Sequence, residues 1–237
     1  MFTNTEELDN GKPTVLIYGA SGSGKTHLAG TLPKALFINA DQGLLTLRGK
    51  KIPVYDLTKM KDKEGNIIDV PRNKRFERMV NFIQNELPKY TKDFEWVVFD
   101  SLNQIAEDFA EHLEGVYPDK KDTLNLWMDF KKTISRMLKS MRDNADFGIC
   151  FLSLDKMDED ETKKKIISVG IPTNLSRSIP GLFDYVFYLK MEEKDGVETR
   201  KVITRNYRTI IAKDRSTKLD LFEEPDMVKI FKKANAK

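Results

Sequence analysis

The sequence predicts a three-layer α/β fold with a mainly parallel central sheet and an antiparallel C-terminal extension, and three observations carry that prediction. Short apolar runs alternate with amphipathic stretches through most of the chain, as strands joined by crossover helices do. One run, Trp96 to Phe99, is apolar at every position and closes on Asp100, as expected for a central parallel strand covered on both faces. Near the end the rhythm changes. DYVFYLKM, RKVITR and RTIIAKD follow one another through short polar connections such as EEKDGVE, the spacing of a meander.

In chain order, a polar arm over residues 1–12 precedes a single domain over 13–237, a length that can bury one sizeable core. TVLIYG reads as the first strand, KTHLAGTL as a helix stopped by Pro33, and ALFINAD as the second strand. KKIPVYDLT is a short strand, and KMKDKEGNIIDV a charged hairpin turning at Gly65 and Asn66. Phe76, Met79, Val80, Ile83 and Leu87 recur at helical spacing over 74–87, and Pro88 ends that helix. Helices follow EWVVFD at about 101–114 and 122–143. In the second, Leu124, Trp127, Ile134, Met137, Leu138 and Met141 form a stripe assigned to the core. FGICFLSL is another buried strand, and no repeat, low-complexity tract or linker interrupts the series.

Composition narrows the function classes. Forty basic and 37 acidic residues leave a net charge of +3, so any basic surface for nucleic acid must be local. Cys150 is the only cysteine and there are two histidines, which excludes an intramolecular disulfide framework and a Cys/His zinc site and fits a reducing cytoplasm. MFTNTEELDNGK lacks the basic start and apolar run of a signal peptide, and no stretch approaches a membrane span; no membrane partner is expected.

The chemistry concentrates after the first strand. Gly19, Ala20, Ser21, Gly22, Ser23, Gly24, Lys25 and Thr26 satisfy GxxxxGK[ST] between a strand and a helix, with His27 next. Glycines let successive backbone amides converge on one point, so the loop can wrap a polyphosphate such as that of ATP. Lys25 would reach the β- and γ-phosphates and the Thr26 hydroxyl would ligate Mg²⁺. A carboxylate must complete the metal shell, and Asp100, at the carboxyl end of WVVF, is the candidate; capping the helix that starts near Ser101 is compatible with that role. Ring ATPases of the AAA+ type often place Glu directly after this Asp, whereas this chain has Ser101. The water-activating base therefore lies elsewhere, and Asp41, ending FINAD, would emerge at the same sheet edge.

With Asp41, VVFDS and AKDR, the chain resembles the RecA-like P-loop ATPase core over roughly residues 13–216. More narrowly it resembles the compact phage-encoded proteins of the Sak single-strand annealing group, also described as phage nucleotide-binding AAA proteins. The resemblance implies a Mg²⁺-dependent ATPase acting on single-stranded DNA in recombination or replication, in the host cytoplasm, with a phage single-strand-binding protein among its partners. It implies Asp41 as general base, one methylene shorter than the family's usual Glu. It also implies that Lys213 and Arg215, two apart and on one side of a strand if RTIIAKDR is extended, act in a homo-oligomer on a neighbour's γ-phosphate. The family's Gln sensor is missing from FLSLDK, where Ser153 and Asp155 are the polar substitutes. DNA contacts would come from Tyr117, Lys120 and Lys121, from Lys163, Lys164 and Lys165, and from a late run of Arg200, Lys201, Arg205, Arg208, Lys213, Arg215 and Lys218 around Tyr207. Two other classes fit the phosphate loop: a nucleotide-gated interaction protein with little turnover, and a small-molecule P-loop kinase, against which Asp100-Ser101 and Lys213-x-Arg215 speak.

Overall fold

The computed structural model describes residues 12–236 apart from 42, 91, 145, 160, 161, 173, 174 and 195; all but Lys12 of the expected polar arm lies outside them. The strands are β1 (Thr14–Gly19), β2 (Ala35–Asn39), β3 (Val54–Asp56), β4 (Lys59–Lys61), β5 (Ile67–Asp69), β6 (Trp96–Asp100), β7 (Gly148–Glu159), β8 (Lys165–Val169), β9 (Tyr185–Lys194), β10 (Val197–Ile203), β11 (Lys213–Asp214) and β12 (Phe222–Glu223). The helices are α1 (Lys25–Ala29), α2 (Arg72–Asn81), α3 (Leu102–Val116), α4 (Thr123–Asn144), α5 (Leu175–Ser178) and α6 (Met227–Ala234).

The main sheet runs β12-β10-β9-β1-β7-β6-β2-β3, and every pairing from β9 to β3 is parallel. The expected three-layer α/β fold is therefore present. β7 lies between β1, which leads into the glycine loop, and β6, which ends on Asp100. All six residues of β1 are buried because both faces are covered: Leu16 and Tyr18 join a core with α2, α3 and α4, while Val15 and Ile17 join one with α1 and α6, in the alternation that the pleat dictates. α6 is capped by Asp226, whose carboxylate accepts from the amides of Val228 and Lys229 at 3.0 and 3.2 Å. It is tied to the turn after α1, where the Met227 amide donates to Thr31 Oγ1 at 2.9 Å.

Four expectations need correction. DYVFYLKM is antiparallel on one side only: β9 pairs antiparallel with β10 and β11 as expected, but its other edge is the parallel neighbour of β1, because β8 and α5 between β7 and β9 form a crossover that returns the chain to the sheet's amino edge. RTIIAKD contributes only Lys213 and Asp214 as strand, since Thr209 and Ile211 pair instead with Ile167 of β8. The helix expected over 74–87 keeps α-winding only to Asn81, then widens to a π-turn over Phe82–Glu86 and tightens over Leu87–Tyr90, with Pro88 inside that last turn. In α4 the inward stripe is Leu126, Phe130, Ile134, Leu138 and Met141, while Leu124 is 71% exposed; Leu124 shares the outward face of Met128, one turn on and also exposed.

This packing separates two substitutions in α4. Phe130→Ala should destabilise the protein by about 3–5 kcal/mol through loss of a fully buried ring. Leu124→Ala should change stability by no more than about 0.5 kcal/mol, both measured by urea unfolding followed by circular dichroism.

Candidate nucleotide site

The glycine loop leaves β1 at the carboxyl edge of the sheet. Gly19 must be glycine because an added Cβ would lie 2.6 Å from the Leu189 carbonyl oxygen of β9. Gly24 stands at φ +98°, in the left-handed region that glycine adopts without strain. Ala20, Ser21 and His27 are exposed and Gly22 forms the open tip, whereas Ser23 is 1% exposed and its Oγ has no hydrogen-bond partner. Lys25 folds back over the loop, its Nζ donating to the carbonyls of Gly19 and Ala20 at 2.9 and 2.8 Å. Burial lowers the Lys25 pKa, and Asp100 and Asp155 oppose that shift.

Thr26 Oγ1 donates to Asp100 Oδ2 at 2.8 Å, so the structure joins the two residues expected to hold Mg²⁺. Asp100 is 7% exposed. Burial raises its pKa and nearby Asp41 adds to the rise, against the Thr26 hydrogen bond and the Lys25 charge. Asp41, one residue past β2, is exposed to solvent at the same edge, yet the low-dielectric protein beside it and the Asp108 charge raise its pKa. Ser101 caps α3 by accepting from the Gln104 amide at 3.4 Å.

Sequence reasoning missed two groups here. Asn39 is the in-register neighbour of Asp100; its amide donates to Asp56 at 3.1 Å while its buried Oδ1 lacks a partner. Arg200 of β10 donates from Nε to the Ser23 carbonyl at 3.1 Å. Ser23 Oγ and Asn39 Oδ1 are the kind of orphaned buried atoms that a ligand or its water shell satisfies. Together with an ammonium resting on carbonyls and acids held above their ordinary pKa, they fit a nucleotide with a divalent cation, Thr26 and Asp100 being the metal's protein ligands.

Of the other expected residues, Ser153 and Asp155 flank Leu154, the register partner of Gly19, and the rest scatter. Ser153 is buried and its hydroxyl donates to the Leu154 carbonyl at 3.1 Å, while Asp155 accepts from the Tyr188 hydroxyl at 3.0 Å. Lys213 lies opposite Val186, lower in the sheet, and donates to the Phe183 carbonyl at 2.7 Å. Arg215 follows β11 and pairs with Asp184, which also accepts from the Thr14 amide and hydroxyl at 2.9 and 2.8 Å. The Arg215 end is thus the amino edge, about 17 Å from the glycine loop at the rise of a parallel strand, and within one chain neither residue meets the loop. In the late cationic run Arg200 serves the loop, Arg208 sits over the Tyr207 ring at 5.1 Å and Lys218 bonds to the Ala236 carbonyl, while Lys201, Arg205 and Arg208 are exposed. Tyr117 donates to Asp129, while Lys120 and Lys121 are exposed. Because α4 descends to β7 at the amino edge over 22 residues, the turn carrying Tyr117, Lys120 and Lys121 is on the carboxyl side with the glycine loop. So is the β7–β8 hairpin, where Lys163 and Lys165 are exposed.

A strand, a glycine loop ending in Lys25 and Thr26, and an acid from a non-adjacent parallel strand bonded to that Thr define a P-loop nucleotide-binding protein of the ATPase class. The chain belongs to the AAA domain family, whose model matches residues 11–216. No curated protein matches it. Among solved structures it is similar to a KaiC-like protein from the hyperthermophilic archaeon Pyrococcus horikoshii OT3, with 15% identity over 83% of this chain and 79% of that one and a TM-score of 0.44. No helix among the described residues is long and apolar enough to cross a membrane.

The raised Asp100 carboxyl sets two expectations. Its charge opposes folding at neutral pH, and that penalty vanishes below the ordinary carboxylate range, where folded and unfolded chains are both protonated. Asp100→Asn should therefore raise nucleotide-free stability by about 1 kcal/mol at pH 7, a gain lost on acidification, as thermal melts across pH would report. Since a metal ligand must be ionised, the Mg²⁺-dependent part of nucleotide affinity should fall as pH drops, starting above the usual carboxylate range, as calorimetric titrations with and without Mg²⁺ would read.

Proposed function

We propose that this protein binds ATP with Mg²⁺ and hydrolyses it, acting as a RecA-core protein on single-stranded DNA in phage recombination or replication, with annealing as the outcome. The observation that carries the enzymatic part is the Thr26–Asp100 hydrogen bond, which gathers a metal-binding hydroxyl and carboxylate beside a loop built for phosphate. Bound Mg²⁺ would neutralise charge on the terminal phosphates. Lys25 would exchange its two carbonyl partners for phosphate oxygens, and the loop amides would orient the chain of phosphates. Asp41, beside Asp100 and open to solvent, would hold the attacking water and accept its proton; its raised pKa makes it a better base than an ordinary carboxylate.

The DNA part rests on the resemblance of Asp41, VVFDS and AKDR to the Sak group and on where the exposed cations fall. Lys120 and Lys121 with Tyr117, and Lys163 with Lys165, all occupy the carboxyl side, where a strand of nucleic acid could run past the nucleotide. Arg215 would serve as a finger only in a homo-oligomer that sets the amino edge of one copy against the carboxyl edge of the next. Such a head-to-tail contact makes a ring or a filament, and Arg215 would have to leave Asp184 to complete it.

A second reading is a nucleotide-gated interaction protein with little turnover, favoured by the short side chain at 41 and by the Ser153 hydroxyl being turned onto a backbone carbonyl. Phosphate release separates the two, because only the enzyme turns over. Lys25→Ala should abolish release and nucleotide binding; unchanged turnover would sink the site assignment. Asp41→Asn should cut turnover by about 10²–10⁴-fold while retaining ATP affinity. Binding to an unstructured oligonucleotide should weaken steeply with salt, and salt-independent or absent binding would remove the DNA part of the proposal.

A further inference from the structure

The acids and the arginine lie on opposite sides of the glycine loop. Asp100 and Asp41 come from β6 and the end of β2, across β7 from β1. Arg200 comes from β10 on the other side, beyond β9. Thr26 and Asp100 fix where the metal and the terminal phosphates belong. A nucleoside triphosphate lying over the loop with that end toward β6 sends its nucleoside end toward β9 and β10.

Two side chains wait there. Arg200 is directly opposite Met191 in the β9–β10 pairing, and residues so paired share one face of the sheet. That face carries Leu189 and Val202, which pack in the core containing α1, so Arg200 and Met191 extend the same face past the sheet edge toward the loop. The arginine reaches it: a Cβ built on Gly24 would meet Arg200 Nε at 3.4 Å and Cδ at 3.5 Å. The Nε hydrogen bond to the Ser23 carbonyl lies in the guanidinium plane and fixes its orientation. Among the described residues its one ion pair is with Glu198, 3.8 Å from Nη2. Met191 is 45% exposed, a large apolar side chain beside a fixed planar cation.

We infer that Arg200 and Met191 form the platform for the nucleotide's base, the guanidinium stacking on the aromatic ring and the thioether packing beside it. The pair would let the site tell a nucleoside triphosphate from an inorganic polyphosphate, which the loop alone grips equally. The inference rests on the phosphate-loop reading and deepens it.

Isothermal titration with two probes, ATP and inorganic tripolyphosphate, tests it. Arg200→Ala and Met191→Ala should each weaken ATP binding by about tenfold, the scale of losing a stacked base, and leave tripolyphosphate affinity unchanged. Arg200→Lys, which keeps the charge without the plane, should lose most of the ATP affinity as well. Equal weakening of both probes by Arg200→Ala, full ATP affinity in Arg200→Lys, or no change with either probe would overturn the platform. Lys25→Ala reports separately: it should weaken both probes, and tripolyphosphate binding untouched by it would defeat the phosphate-loop reading itself.

Discussion

Thr26, at the start of α1 beyond β1, and Asp100, at the end of β6, come from strands that do not touch. β7 separates their strands, and only at the carboxyl edge, where β1 turns into the loop and β6 ends, can a hydroxyl from one meet a carboxylate from the other. That meeting depends on register. Leu152 of β7 faces Asp100 on one side and Ile17 on the other, so a slip of one residue in either pairing would turn the acid to the other face. The buried apolar strands on either side hold the register, and the site is a consequence of how the core packs.

The edge that results is electrostatically unfinished. Asp100 and Asp41 stand near each other with their carboxyls raised, Lys25 is partly desolvated with only carbonyls as hydrogen-bond partners, and two buried oxygens have none. Buried acids elsewhere are treated differently. Asp108, 1% exposed, is satisfied by Arg72 at 3.1 Å and by Gln104 at 2.8 Å, and Asp184 by Thr14 and Arg215. Structural carboxylates in this protein have donors. At the loop Asp100 has only the Thr26 hydroxyl among the described residues, and a cation with a polyanion is what would balance the acids there.

What could be seen in the sequence was local. The phosphate loop is contiguous, its glycines answer to backbone geometry, and Asp100 closes an apolar run, so strand, loop and acid were readable without a tertiary model. Arg200 was visible only as one of several cations, because its place depends on a hairpin register and on contact with a residue 177 positions earlier. Lys213 and Arg215 looked like a pair at a strand's functional end. Their strand runs antiparallel to β9, so its end is the sheet's amino edge, and strand direction is not written in a two-residue spacing. Leu124 was misplaced for another reason: it was assigned to a stripe whose face it does not share, since it stands one turn from exposed Met128 while buried Leu126 faces the core.

The helix that follows the matched region has a bearing on how the molecule can be divided. Family likeness stops at residue 216, yet Phe231 of α6 sits 4.9 Å from the Trp96 ring and 5.4 Å from that of Tyr185, and Met227, Ile230 and Ala234 are sealed into the same layer. A fragment trimmed to the recognisable boundary would strip the roof from one side of the sheet and leave sticky aromatic surface behind. The edge of the family match and the edge of the packed layer thus differ, and a fragment meant to keep the sheet covered has to include α6.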